Sequence, residues 1–348
     1  MITIKEIASE LGMSATTVSN VIRGKTKEVS PETIERVNRF LEEVDYIPNI
    51  NARNLAQNHS NIIGVVLKTE EVRHSYMNIL ADPFVSEMLG GIEETVRKAG
   101  YFLMLYISDD INDIIRQIST WNVDGLLLFW MMDEDAIKIS RKFKKPMAFI
   151  DTYMSKETIR ELGDRYANIG LEDEQGTYDA VSYMVKLGHK KIGFLSDNSV
   201  GVDGNRYKGY IRALEDAGIK YKEEYRFWLD TTEEGIDESL EKLAKQAEKV
   251  TAIFCCSDNF AALMVNACER HGLHVPEDIS IMGFDDILIG RLFRPPLTTM
   301  HQDIHYKGVL ATSTLIDMIQ KKPVKNREII LKTRLIERES VADIRKKK

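Results

Sequence analysis

Apolar positions in the first 47 residues recur at helical spacing in three short blocks. Ile4, Ile7, Ala8 and Leu11 form one stripe, Val18, Val21 and Ile22 a second, and Ile34, Val37, Leu41 and Val44 a third. The residues between the blocks agree with this reading. Thr3 followed by Glu6 is a capping box, and Gly12 breaks the first block. Ser14 can cap the second block and Gly24 ends it, while Ser30 and Pro31 open the third. Helix, short turn, helix is the helix-turn-helix arrangement. The next stretch, YIPNINARNLAQNHSN at 46–61, is polar and contains Pro48. It is marginal as an isolated helix, which needs about 12–15 residues to hold in water. It predicts a linker at 48–60 that becomes helical when something stabilises it.

From Asn61 the pattern changes to continuous apolar runs alternating with amphipathic helices. The runs are IIGVVL (62–67), YFLMLYI (101–107), VDGLLLF (123–129), PMAFID (146–151), YANIGL (166–171), KKIGFLSD (190–197), TAIFCCSD (251–258) and ISIMGFDD (279–286). Such runs followed by helices argue for parallel strands covered on both faces. Eight units over about 240 residues exceed one comfortable sheet, so two doubly wound lobes are expected. A small ligand then belongs in the cleft at the carboxyl ends of the strands. Polar residues stand there: Asp151, Ser257, Asp258, Asp285 and Asp286. The other reading of an Asp or Ser after a strand is a cap for the next helix, and for Asp258 the two readings are equally open.

Composition narrows the class. The chain has 348 residues, 43% of them hydrophobic, which is enough for two or three cores, and a net charge of −7, so it is no general polyanion binder. Three cysteines, two of them adjacent, suit a reducing cytoplasm, and no Cys/His spacing suggests a metal. Neither a signal-peptide pattern nor an apolar run near the ~20 residues of a membrane span is expected. There is no G-x-G-x-x-G after the first strand, no phosphate-binding G-x-x-x-x-G-K-[ST] and no G-x-S-x-G, which argues against an enzyme. No cofactor is expected beyond a small-molecule effector.

One face of the second helix is unusual. Ala15, Thr16, Thr17, Ser19 and Asn20 are small, neutral and rich in hydrogen-bonding groups. Thr, Ser and Asn are mediocre helix formers, and solvated faces usually carry Glu, Lys, Gln and Arg.

The chain resembles the lactose-repressor/galactose-repressor (LacI/GalR) family of bacterial transcription regulators over almost its full length. The resemblance rests on TIKEIASELGMSATTVSNVI, VSPETIERV, YIPNINARNLA, IGVV, PFVSEMLGGIEE, VDGLLL, LGHKKIGFL, NRYKGYIRAL, TAIFCCSD, VPEDISIMGFDD and PPLTTMHQD, in that order. It implies an all-α helix-turn-helix DNA-binding domain at 1–47 and a hinge helix at 48–60. It also implies an α/β two-lobed, periplasmic-binding-protein-like sensor at 61–340. The lobes are expected at about 61–165 with 300–326, and 166–299 with 327–340, leaving a basic tail at 341–348. The partners implied are near-palindromic operator DNA, a small-molecule effector and a second copy of the chain, with a protein co-regulator open and no membrane.

The resemblance also answers the question of the second helix. Base contacts are implied at Ala15, Thr16 and Asn20, where small amide, hydroxyl and methyl groups can reach base edges in a major groove about 12 Å wide. Many relatives carry Arg where this chain has Asn20. Phosphate contacts are expected from Thr3, Ser14, Thr17 and Ser19, with Arg23 near the rim. Asn49, Ala52 and Arg53 belong to the hinge beside the minor groove. Leu55 matches the family's leucine wedge, which inserts between base steps and kinks the operator. Residues 1–60 hold seven Lys/Arg against eight Asp/Glu, so the usual basic footprint is missing.

In the cleft the match implies Phe84, Val85, Asp151, Arg206, Asp230, Ser257, Asp285 and Gln302 as effector contacts. Carboxylates, one Arg, one Gln and an aromatic suit a neutral sugar or polyol, so the expected function is a repressor of carbohydrate-utilisation genes. The alternatives are a transport-type sugar-binding protein and a regulator with a nucleobase or sugar-phosphate effector. The segment KTEEVRHSYMNILADPF is longer than the family's usual loop, and it is equally open as a cover for a larger ligand and as a neutral insertion.

Overall fold

The structure, a computed structural model, describes residues 2–22, 24–46, 60–69, 77–120 and 122–346. The chain divides into two compact units, Met1–Ser60 and Asn61–Lys348. Of the expected DNA contacts, Arg23, Asn49, Ala52, Arg53 and Leu55 lie outside the described residues, as does the linker apart from Ser60.

The first unit is three helices: α1 (Ile4–Leu11), α2 (Ala15–Ile22) and α3 (Pro31–Glu43). The capping box forms in both directions, Glu6 N–H donating to Thr3 Oγ1 at 3.3 Å and Thr3 N–H to Glu6 Oε2 at 2.7 Å. Gly12 ends α1 in the left-handed region at φ 63°, where a side chain would be strained. Ser14 Oγ accepts from Thr17 N–H at 3.0 Å, and Ser30 Oγ from Thr33 N–H at 3.2 Å. Ile7, Ala8, Leu11, Val18, Val21 and Val37 form the core, and Arg36 reaches from α3 to the Leu11 carbonyl at 2.9 Å. The third stripe ends at Leu41 rather than Val44, because Val44 is already the C-cap of α3.

The second unit begins with an alternation of strands and helices: β1 (Ile62–Lys68), α4 (Pro83–Lys98), β2 (Phe102–Ser108), α5 (Ile111–Thr120), β3 (Gly125–Phe129), α6 (Asp133–Lys142), β4 (Met147–Ile150), α7 (Lys156–Leu162) and β5 (Tyr166–Leu171). The chain then crosses to α8 (Asp173–Lys186), β6 (Ile192–Ser196), α9 (Gly201–Asp216), β7 (Arg226–Trp228), α10 (Ile236–Ala247), β8 (Ala252–Cys255), α11 (Asp258–Arg270), β9 (Ser280–Asp285), α12 (Leu288–Leu292) and β10 (Thr298–His301). It returns for α13 (Ile304–Ile319) and β11 (Glu328–Leu331), and crosses again for β12 (Arg334–Ile336). The N-lobe sheet runs β11-β5-β4-β3-β1-β2, all parallel, and the C-lobe sheet runs β12-β10-β9-β8-β6-β7, parallel except for β12.

This pairing moves the expected lobe boundaries. Tyr166–Leu171 pairs with β4 and β11, so it belongs to the N-lobe and not to a C-lobe starting at 166. Thr298–His301 pairs with β9 and so lies in the C-lobe, while 328–331 completes the N-lobe. The expected basic tail is also shorter than 341–348. Val341 is buried, Ala342 N–H donates to Ser280 Oγ at 2.9 Å, and the Ala342 carbonyl meets His189 Nε2 at 3.0 Å. Two helix pairs pack closely enough to require glycine. A Cβ on Gly209 of α9 would sit 2.1 Å from the Glu174 carbonyl oxygen on α8, and one on Gly91 of α4 would sit 2.4 Å from that of His305 on α13.

Candidate functional site

The parallel strands of both lobes present their carboxyl ends to the space between the lobes, and the backbone there is unusual. Trp130 after β3, Asp151 after β4, and Asp285 and Asp286 at the end of β9 have φ of 54°, 53°, 115° and 61°. Non-glycine residues enter this region at a cost, and such strain gathers at functional sites.

A continuous buried chain of polar side chains links the lobes. Lys307 on α13 donates to both oxygens of Asp151, at 2.9 and 3.0 Å, and to Gln302 Oε1 at 2.6 Å. Gln302 Nε2 donates to Asp285 Oδ1 at 2.6 Å. Arg206 NH2 stands 3.7 Å from the same oxygen, a charge contact longer than a hydrogen bond. Arg206 Nε donates to Asp173 Oδ1 at 2.8 Å, its NH1 donates to the Cys256 carbonyl, and its guanidinium lies 3.6 Å over the Phe284 ring. The Tyr153 hydroxyl of the N-lobe closes the chain by donating to Asp173 Oδ2 on α8. All of these except Tyr153 are more than nine-tenths buried.

The electrostatics follow from that burial. Burial pushes Asp285 up to about 7, against the pull of Arg206 and the Gln302 hydrogen bond. Burial also raises Asp151, although Lys307 opposes it. Asp203 on α9 is pushed up to about 7 by burial and by Asp197. For Arg206 burial works against the charge, but Asp173 and Asp285 outweigh it and hold the guanidinium above its ordinary value.

Four of the expected effector contacts, Asp151, Arg206, Asp285 and Gln302, therefore come together. Phe84 stands beside them. Its ring stacks on Trp130 with centroids 6.5 Å apart, and Lys307 Nζ lies 5.9 Å from its centroid. Val85 does not line the cleft. It is fully buried with Met88 and Ile92 in the N-lobe core, because the next residue on a helix turns about 100° away. Ser257 is half-buried and caps α11, accepting from Phe260 N–H at 3.2 Å. Asp258 is fully buried, accepting from Ile287 N–H at 3.0 Å and Thr299 Oγ1 at 2.6 Å. Asp230 is exposed and serves its own turn. Its Oδ1 accepts from Thr232 N–H at 3.0 Å, and that bond holds the carboxyl below its usual range.

Lys307, Asp173, Tyr153 and Trp130 were not found from the sequence. Lys307 did leave a signal. It falls on the apolar stripe of Ile304, Ala311 and Leu315, where a cation needs a buried carboxylate. Asp286, next to Asp285, points elsewhere. Burial raises its carboxyl, but Arg338, His301 and Arg291 prevail and hold it low. His301 and His305 are four residues apart, yet they face Asp286 and Glu94 respectively. Among the described residues no group of three His, Cys, Asp or Glu could hold a metal, and no helix is long and apolar enough to cross a membrane.

In the first unit, Ser14, Ala15 and Thr16 are exposed and Thr17, Ser19 and Asn20 are half-buried, while Val18 and Val21 face the core. The outer face of α2 therefore offers hydroxyl, methyl and amide groups without charge.

Two family models match: bacterial regulatory proteins of the lacI family over residues 3–49, and a periplasmic binding protein-like domain over 181–341. The HTH-type transcriptional repressor PurR of Mannheimia succiniciproducens is 32% identical over 99% of this chain and 100% of its own. That of Erwinia tasmaniensis is 33% identical over 99% and 98%. The lac repressor dimer bound to operator and the anti-inducer ONPF is 25% identical, covers 98% of this chain and 99% of its own, and superposes with a TM-score of 0.81. With a helix-turn-helix unit ahead of a two-lobed sensor whose cleft is built from buried polar groups, the chain belongs to the LacI family of DNA-binding transcriptional repressors and carries that family's effector-binding domain.

Proposed function

We propose that the protein is a cytoplasmic homodimer that represses carbohydrate-utilisation genes from a near-palindromic operator, and that a neutral sugar or polyol in the interlobe cleft sets its operator affinity. One observation carries the effector reading. Along the buried chain three carboxylates, Asp151, Asp173 and Asp285, share two cations, Lys307 and Arg206, and each cation already meets a carboxylate. A phosphate placed there would meet surplus negative charge. A polyol would meet acceptors for its hydroxyl protons and, at the 3.7 Å step between Arg206 and Asp285, two groups that vicinal hydroxyls can bridge. The effector would act by changing how the lobes lie across Tyr153, Asp173 and Gln302. Whatever the sign, the coupling to DNA must be reciprocal. On the DNA side, Ala15, Thr16 and Asn20 read base edges while Thr3, Ser14, Thr17 and Ser19 meet phosphates.

A nucleobase effector is the second reading, favoured by the Phe84–Trp130 aromatic pair beside the chain. A thermal-shift screen separates the two. A ligand at a hundredfold excess over its Kd stabilises the fold by about 2.7 kcal/mol. Neutral sugars are expected to raise the melting temperature. Shifts only from purines or sugar phosphates would overturn the sugar reading. Repeating the titration with operator DNA gives the sign of the switch.

A further inference from the structure

The C-lobe carries a second polar and aromatic cluster beside this chain. β7 is the edge strand of the sheet, parallel to β6, so its last residue Trp228 stands at the same rim as Ser196 and Asp197. Trp228 is 47% exposed, a large apolar surface at the cleft side of the lobe. Its indole rests on the guanidinium of Arg226, 4.2 Å from the ring centroid. Arg226 is itself 6% exposed and packs over Phe194 and Tyr207 at 4.5 and 4.3 Å. Its NH2 donates to Ser196 Oγ at 2.9 Å and to the Asn198 carbonyl at 3.2 Å, while its NH1 is buried with no hydrogen-bond partner. No carboxylate forms an ion pair with it among the described residues, although Asp203 lies within electrostatic reach of both Arg226 and Arg206. The cluster is thus continuous with the cleft. Arg206 meets the end of β8, and Trp228 ends a strand two places along, about 10 Å away at ordinary strand spacing.

We propose that Trp228, backed by Arg226, is a second subsite that takes the next pyranose ring of a di- or oligosaccharide whose first ring occupies the Arg206–Asp285 site; this rests on the neutral-sugar reading above. An indole held flat by a buried cation offers a rigid apolar face to the C–H side of a sugar ring. The ring face turned away from Arg226 is the one left for the sugar, and Arg226 fixes the indole by its own bonds to Ser196 and the Asn198 carbonyl.

Calorimetric titration tests this with glucose, galactose and ribose against cellobiose, maltose and lactose, and with glucose 6-phosphate and ribose 5-phosphate, on the full chain and on Trp228→Ala and Trp228→Phe, with thermal unfolding as the folding control. At least one disaccharide is expected to bind more tightly than its constituent monosaccharide. Trp228→Ala is expected to reduce that ratio by about five- to tenfold and Trp228→Phe to keep most of it. An unchanged ratio in Trp228→Ala, or monosaccharides binding as tightly as disaccharides, overturns the subsite and leaves the sugar reading standing. Tight binding only by glucose 6-phosphate or ribose 5-phosphate overturns both, because the effector would then be an anion and not a neutral sugar.

Discussion

Replacing Lys307 by Met tests the buried chain at its most enclosed cation. Lys307 is 1% exposed and donates to Asp151 twice and to Gln302 once. Met has nearly the same volume, so packing changes little and the electrostatic term dominates. Removing one partner of a buried pair leaves the other charge uncompensated, at about 3–5 kcal/mol. For a unit of this size each kcal/mol lowers the melting temperature by about 2 °C, so a fall of about 6–10 °C is expected at pH 7.5. The carboxyl of Asp151 is already raised by burial, and without Lys307 it will rise further. A folded-state carboxyl above its unfolded value favours the fold at low pH, so the loss in Lys307→Met should shrink as pH falls from 7.5 toward 5. The double variant Asp151→Asn/Lys307→Met removes both charges and should recover more than half of the loss. Differential scanning calorimetry across pH on the parent, Asp151→Asn, Lys307→Met and the double variant gives all four corners of the cycle. A single variant within about 2 °C of the parent, or a double variant no more stable than the single, would refute the claim that Asp151 is a buried charge held by Lys307.

The remaining predictions follow from the same geometry. Asp285 is pushed up to about 7, far above an unfolded aspartate, so its contribution is present below about pH 4 and is lost as pH rises through about 7. The melting temperature of the ligand-free protein should fall from pH 5 to 8, and Asp285→Asn should flatten that fall; an identical pH profile in the variant would count against it. Gly209→Ala should lower stability by about 1–3 kcal/mol in urea unfolding, because its Cβ would lie 2.1 Å from a backbone oxygen that cannot move without separating α8 from α9. An unaffected unfolding midpoint would mean that the two helices pack more loosely than described.

The helical stripes and their caps made the first unit readable, because capping is local: Thr3, Ser14 and Ser30 each bond a backbone N–H three residues on. The eight long apolar runs were readable for the same reason. The short strands at 226–228, 298–301, 328–331 and 334–336 were not. Three or four residues give too little alternation, and which sheet a strand joins depends on pairing partners far away in sequence. The acids after the strands were found because a charged group ending an apolar run stands out, as Asp151 and Asp285 do. Lys307 and Asp173 were missed because each sits inside a helix whose pattern looks ordinary until a partner 156 or 33 residues away is known.

The sequence passes between the lobes after Leu171, after His301 and again after Leu331. Each lobe is therefore assembled from separated pieces of the chain, and no single cut divides residues 61–346 into two parts that could each fold. Its inheritable module is the pair of lobes together. A new effector specificity must arise by point changes around the shared cleft, whereas the first sixty residues, a contiguous block with a core of its own, can be exchanged whole for a reader of a different operator.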